Sequence, residues 1–220
     1  MVAGKSGNVA GLNVNFAAAV TVTDALIAFP IAFTMAKVAR GRARGLLVVA
    51  VLMPLWSSYL VKAYAWRLLL AEDGPVNWAL SPLGLSGPGY GTVAVWLVMS
   101  YLWLPYMILP VYAGLERIPD SLLEASGDLG ARAGTTFRSV ILPLALPAVV
   151  AGSIFTFSLT LGDYIAPTLV SKTQFIGTVV YAEAVQGNNL PFAAAFATVP
   201  VVVMLAYLLV ARRLGAFDSL

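Results

Sequence analysis

The sequence predicts an all-α, polytopic membrane protein with five transmembrane helices. Three observations predict it. Of 220 residues, 60% are hydrophobic and only 10% charged, with a mean hydropathy of +0.88, whereas a soluble domain carries about 25% charged residues. Five apolar stretches are long enough to cross about 30 Å of hydrocarbon, which takes about 20 residues as a helix. The basic residues fall at the ends of those stretches, mostly in alternate connections.

Taken in order, the spans are expected at about 16–36, 46–66, 92–115, 140–162 and 191–211. The third, fourth and fifth contain no charged residue; the first contains only Asp24 and the second only Lys62. Pro30, Pro54, Pro105, Pro110, Pro143, Pro147 and Pro200 lie inside them. Lipid-embedded helices tolerate proline where neighbours re-satisfy the freed carbonyls, so kinked and mutually packed helices are expected. Ahead of the first span, Met1 to Asn15 show no short apolar core followed by a cleavage site, and no removable signal peptide is read there. No internal repeat or low-complexity tract appears, so residues 1–220 read as one domain.

Lys and Arg beside span ends are retained on the cytoplasmic side. With the 37–45 loop inside, that face holds Lys37, Arg40, Arg42, Arg44, Arg117, Arg132, Arg138, Arg212 and Arg213, against Lys5, Lys62, Arg67 and Lys172 outside. This balance places the N-terminus outside and the C-terminus in the cytoplasm. Arg40, Arg42 and Arg44 are explained by topology and by attraction to anionic lipid head groups. The outer connections are then about 67–91, rich in Gly and Pro, and about 163–190.

Composition also excludes functions. With no Cys and no His, the chain has no thiolate nucleophile, no imidazole base and neither of the commonest transition-metal ligands. No metal site and no catalytic constellation are read. A net charge of +3 and a pI near 9.3 do not point to nucleic acid, because the basic residues are dispersed between apolar runs. No GxxxxGK[ST] phosphate loop occurs, so no bound nucleotide or other cofactor is expected on this chain.

The most informative connection is ERIPDSLLEASGDLGARAGTTFRSVILP at 116–143, too long for a tight turn and rich in helix formers. A helix is expected to begin around Pro119, Asp120 and Ser121, with Ser121 and Glu124 spaced as a capping box. Leu122, Leu123 and Leu129 supply apolar contacts, and Gly127 and Gly130 permit a turn or close approach. A second short helix is expected from Ala133 into the fourth span. A simple surface hairpin is the alternative for this spacing.

Glu124, Ala125 and Ser126, then Gly130 after three residues, then Val140, Leu142 and Pro143 after nine more, match a known cytoplasmic signature: EAA, G, then I-x-L-P. The chain thereby resembles the inner-membrane permeases of binding-protein-dependent ABC importers, departing only in Ser126 for Ala and Val140 for Ile. The resemblance implies that the loop is a cytoplasmic coupling helix docking in a cleft of the ATPase subunit through Glu124, Ala125, Ser126, Gly130, Leu142 and Pro143. It implies as partners an ABC ATPase subunit dimer that binds the ATP, a second permease subunit in a heterodimer, a solute-binding protein and membrane lipid. Members of the family usually have six spans, and the five read here are the clearest departure from that pattern.

FPIAFTMAKVARGRAR at 29–44, PLWSSYLVKAYAWRLLL at 54–70 and FTFSLTLGDYIAPTLV at 155–170 resemble the spermidine/putrescine branch of these permeases. Related branches move iron, sulfate and opine-like solutes. A polyamine path needs carboxylates and aromatic faces. Asp24, Tyr64, Trp66, Asp163 and Tyr164 are the candidates, with Trp56 and Trp103 as further aromatics. Asp24 lies mid-span, Asp163 ends the fourth span, and Tyr64 and Trp66 also suit an interfacial aromatic belt. The competing class is an ion-gradient-driven secondary transporter, which five spans and scarce intramembrane charge disfavour.

Overall fold

The computed structural model describes residues 2–213, with side chains from Val9 onward. Met1, the Lys5 side chain and residues 214–220 lie outside the described residues. The described chain is helical throughout, with no strand: α1 Val2–Phe33, α2 Arg42–Trp56, α3 Tyr59–Leu69, α4 Pro75–Leu80, α5 Thr92–Glu116, α6 Asp120–Asp128, α7 Ala133–Thr136, α8 Leu142–Gly162, α9 Ile165–Val170, α10 Ile176–Tyr181 and α11 Leu190–Arg213. Single π-helical turns follow α1 (Thr34–Val38), α7 (Phe137–Ile141) and α10 (Ala182–Gln186).

Among the described residues, four single helical stretches are long and apolar enough to cross a membrane: Val9–Val38, Thr92–Glu116, Ala133–Gly162 and Leu190–Arg213. The first begins well before residue 16, where the sequence places it. The reason is that Asn13 loses its polar cost: its amide donates to the Val9 carbonyl at 2.8 Å and its carbonyl oxygen accepts from the Ile176 N–H at 2.9 Å. The fourth begins at Ala133 because the short helix expected there continues through a π turn into α8.

The expected span at 46–66 is a helix pair, α2 and α3, bent by 92°, which taken together is long and apolar enough to make a fifth span. Pro54 deprives the last turn of α2 of a backbone donor. Ser58 then takes an extended conformation, ψ 134°, and restarts the chain as α3. Hydropathy runs smoothly through this break, so composition could not reveal it.

Residue contacts group the chain into two compact units. One comprises the chain up to Thr21, Trp56–Trp103 and Phe157–Leu205; the other comprises Val22–Leu55, Leu104–Thr156 and the described chain from Ala206. The core of the first is Val20, Val95, Val98, Met99, Leu102, Trp103, Ala166, Val170 and Phe175. The core of the second is Ala28, Ala32, Met35, Met107, Val111, Leu115, Ile141 and Ala145. In this second unit α5 and α8 approach closely across glycines. A Cβ on Gly114 would overlap the Ala148 methyl, and one on Gly152 would lie 2.8 Å from Met107 Sδ and 3.2 Å from its carbonyl oxygen. Small residues at such crossings are how helices pack where lipid offers no hydrophobic contrast.

Candidate functional site

Within the second unit, α6 is short and solvent-facing. It starts at Asp120 with Pro119 as its N-cap, and no side-chain cap bond forms. The expected Ser121/Glu124 capping box is therefore not made: the helix starts two residues earlier than a Ser121 cap requires, which puts Ser121 inside the first turn. Of the three leucines expected to supply packing, only Leu123 packs against the unit's core. Leu122 is 43% exposed and Leu129 88% exposed. The helix ends in a turn in which the Gly130 N–H donates to the Gly127 carbonyl at 2.8 Å. Gly130 has φ +76°, which a Cβ disfavours, while the space around it is open.

Glu124, Ala125, Gly130 and Pro143 are exposed, and Leu142 is partly so. Ser126 is half-buried, its hydroxyl 2.8 Å from that of Thr136 on α7. Buried Ile141 anchors the start of α8 in the core. The signature thus presents an exposed surface with an apolar knob, Leu129, beside a glycine turn and a carboxylate.

Two basic side chains brace this surface. Lys37, in the π turn after α1, donates to the Ile118 carbonyl at 2.6 Å and to Asp120 Oδ1 at 2.7 Å. Arg44 Nη1 donates to Glu116 Oε1 at 3.0 Å and its Nε to the Met35 carbonyl at 3.1 Å. The Lys37 ammonium, by hydrogen bonding and by its charge, holds the Asp120 carboxyl below its usual value. Arg44 thus has a local structural task in addition to the topological one read from the sequence.

In the first unit, Asp163 sits just past α8. Tyr59 Oη lies 2.7 Å from Oδ1 and 2.6 Å from Oδ2, its single proton shared between them. The Ile165 N–H donates to Oδ1 at 2.9 Å, and the Ala166 N–H reaches Tyr59 Oη at 3.2 Å. Burial pushes the Asp163 carboxyl up from its ordinary value, while the Tyr59 hydroxyl and the two backbone amides oppose the shift. Tyr59 stacks on Trp103 with ring centroids 5.8 Å apart and planes 11° apart.

Tyr164 stacks on Tyr181 at 4.7 Å. This pair lines two cavities: a polar one of about 470 Å³ with Lys172, Gln174 and Glu183, and an apolar one of about 380 Å³ with Gly177, Val185 and Pro200. Gly177 passes so close to the 162–163 backbone that a Cβ would lie 2.8 Å from the Asp163 carbonyl oxygen.

A family model described as "Binding-protein-dependent transport system inner membrane component" matches residues 15–217. The chain belongs to that family. Among its relatives, the inner membrane ABC transporter permease protein YdcU of Escherichia coli K12 is 50% identical over 220 residues, covering 93% of this chain and 70% of the relative. The spermidine/putrescine transport system permease protein PotB of Haemophilus influenzae is 35% identical over 181 residues, covering 80% of this chain. This chain spans 63% of the length of that relative. A crystal structure of a bacterial ABC transporter that imports the acidic polysaccharide alginate contains a chain of the same fold, with a TM-score of 0.71 at 20% identity, covering 91% of this chain and 78% of that one.

As an inner-membrane transport component, the chain brings some of the sequence-selected residues together and leaves others apart. Glu124, Ala125, Ser126 and Gly130 form one surface on and just after α6, and Leu142 and Pro143 open α8 in the same unit. Asp163 and Tyr164 belong to one cluster. Trp66, on α3 with Tyr59, packs on Tyr101 at 5.4 Å, whereas Tyr64 is 52% exposed. Asp24 belongs to the other unit and is 0% exposed, on one α1 stripe with Ala28 and Ala32, equally buried, that Met35 continues in the following π turn. Trp56 is 86% exposed. Sequence reasoning missed Tyr59 and Tyr181. Tyr59 lies inside the 54–70 stretch already singled out, but no local pattern set it apart from its neighbours.

Proposed function

We propose that this chain is the membrane permease subunit of an ATP-driven, binding-protein-dependent importer for a small organic cation of the polyamine class. The observation that carries the importer reading is the exposed α6 surface, where the Glu124-Ala125-Ser126 and Gly130 signature sits on a helix braced from behind and open in front. Such a surface suits a partner with a cleft. Ala125 and Gly130 permit close backbone approach, Leu129 supplies an apolar anchor, and Glu124 supplies a carboxylate for pairing.

In this reading α6 lies on the cytoplasmic side, the N-terminus outside and the C-terminus inside, with residues 1–220 acting as one permease domain. ATP is bound by two partner ATPase subunits, a second permease completes the translocation path, and a solute-binding protein delivers the cargo from outside. Closure of the ATPase pair pulls on α6 and shifts the permease between two packings, since packed interfaces are bistable.

Support for a cationic solute comes from the relatives named for spermidine and putrescine and from the Asp163 cluster. Asp163 offers a carboxylate to an ammonium group. Tyr59, Trp103, Tyr164 and Tyr181 offer ring faces, each cation–π contact being worth about 0.5–2 kcal/mol. An arriving ammonium takes the place of the Tyr59 hydroxyl as the partner of Asp163. Asp24, fully buried, serves such a path only after the helices around it separate.

Co-purification of the complex in detergent with its ATPase tests the central claim. Wild type retains the ATPase; Gly130→Trp, which forces a side chain into φ +76° and fills the docking turn, does not, and Glu124→Ala retains less. Failure of wild type to hold any ATPase would leave the secondary-carrier reading in its place.

A further inference from the structure

The loops that surround α6 contain a brace that none of the family relationships assigns. Lys37 is only 10% exposed although it ends in a charged ammonium, and it spends that burial on two acceptors, the Ile118 carbonyl and Asp120. These are the last buried residue before α6 and the first residue of α6 itself. Lys37 belongs to the π turn that closes α1, and the next residue but one, Ala39, donates its N–H back to the Thr34 carbonyl at 2.7 Å. Arg44 fixes the same corner from the other side, reaching the Met35 carbonyl and Glu116. The ammonium therefore links the end of α1 to the start of α6 across 83 positions of sequence, independently of the backbone that joins α6 to α5.

From this geometry we infer that Lys37 is a positioning residue that transmits force from the coupling helix into α1. The inference rests on the reading of α6 as the ATPase-docking element and adds the route by which its motion enters the membrane helices. Without Lys37, no ion pair joins Asp120 directly to the end of α1, and α6 is held by residues 117–119, by Leu123 against the core and by the Ser126–Thr136 contact. Motion of α6 then dissipates in the 117–119 segment instead of displacing α1. A buried cation shared by two acceptors suits this task because both bonds are charge-assisted and directional. Its removal takes away the ammonium that bonds both the Ile118 carbonyl and Asp120, leaving Asp120 only the more distant charges of Arg40 and Arg44, so the two ends lose their register.

The test uses the full importer complex reconstituted in vesicles, comparing wild type with Lys37→Met, which keeps the stem and removes the charge, and Lys37→Arg, which keeps the charge. Retained ATPase, ATP hydrolysis and uptake are measured on each. The chain has no cysteine. Spin labels can therefore be placed on cysteines introduced at Val38 and Leu122, exposed at 62% and 43%, to read the α1-to-α6 distance.

The expected result is that Lys37→Met holds the ATPase and hydrolyses ATP, takes up roughly tenfold less solute per ATP and shows a broadened distance distribution, with Lys37→Arg restoring both. Unchanged uptake per ATP in Lys37→Met overturns the inference. So does loss of the ATPase from Lys37→Met alone, which makes the residue an assembly contact. Loss of the ATPase from wild type as well overturns the docking reading itself, and the brace with it.

Discussion

Leu129 shows what a single side chain can settle. Its spacing in the sequence reads as internal packing, yet it stands 88% exposed at the end of α6. An exposed leucine that gains cover only from a partner contributes about 1.5–3 kcal/mol on burial. Leu129→Ala is therefore expected to weaken ATPase retention roughly tenfold, in line with an energy of that size, while the thermal unfolding of the isolated chain stays where it was. A structural leucine would shift the unfolding temperature instead. Asp120 makes a second prediction at this scale. Lys37 holds its carboxyl below the ordinary value, so its contribution is present above the unfolded-state pKa and is lost as pH falls through the lowered folded-state value. The Val38–Leu122 label distance is accordingly expected to stay constant from pH 8 to pH 5 and to broaden only below the usual aspartate pKa of about 3.9.

At the scale of elements, the tightest constraint is the crossing of α5 and α8 in the second unit. Gly152 lies against the Met107 backbone, which cannot yield as a flexible side chain can. Gly152→Leu is expected to lower the yield of folded protein and its melting temperature in detergent, whereas Gly134→Ala, where a Cβ meets nothing within 4 Å, leaves both unchanged. The long apolar helices were legible because a membrane span announces itself by composition over a whole window. The break between α2 and α3 was not, because Pro54 resembles the other intramembrane prolines, which sit inside continuous helices. The start of α1 was hidden for a different reason: the partner that satisfies Asn13 is a backbone N–H at Ile176, far along the chain. Local pattern carries no trace of such a bond.

For the whole molecule, the proposed function makes uptake depend on partners. Membrane vesicles containing the assembled complex are expected to take up solute only with ATP and the binding protein, and to be indifferent to collapse of the ion gradient. Dependence on the gradient instead would favour a secondary carrier. In the same assay Asp163→Asn and Asp24→Asn each lower uptake with assembly intact, and normal uptake by either variant removes that residue from the path. The surface proposed for docking draws on one short segment, from Glu124 to Pro143, so its linear motif can be read from the sequence. Of the Asp163 cluster, Asp163, Tyr164 and Trp103 were singled out in the sequence, and Tyr59 and Tyr181 were not. Tyr59 lies 104 positions from Asp163, and folding alone brings the phenol to the carboxylate.

The stack of Trp103 on Tyr59 has an optical consequence. Of the five tryptophans, Trp56 and Trp78 are 86% and 79% exposed, while Trp103 is buried against the ring whose hydroxyl holds Asp163. An ammonium that draws Asp163 away from Tyr59 changes the polarity beside one indole and leaves the two exposed ones as they were. With Trp56 and Trp78 replaced by phenylalanine, the emission of the remaining indoles becomes a label-free fluorescence record of cargo arriving at the carboxylate.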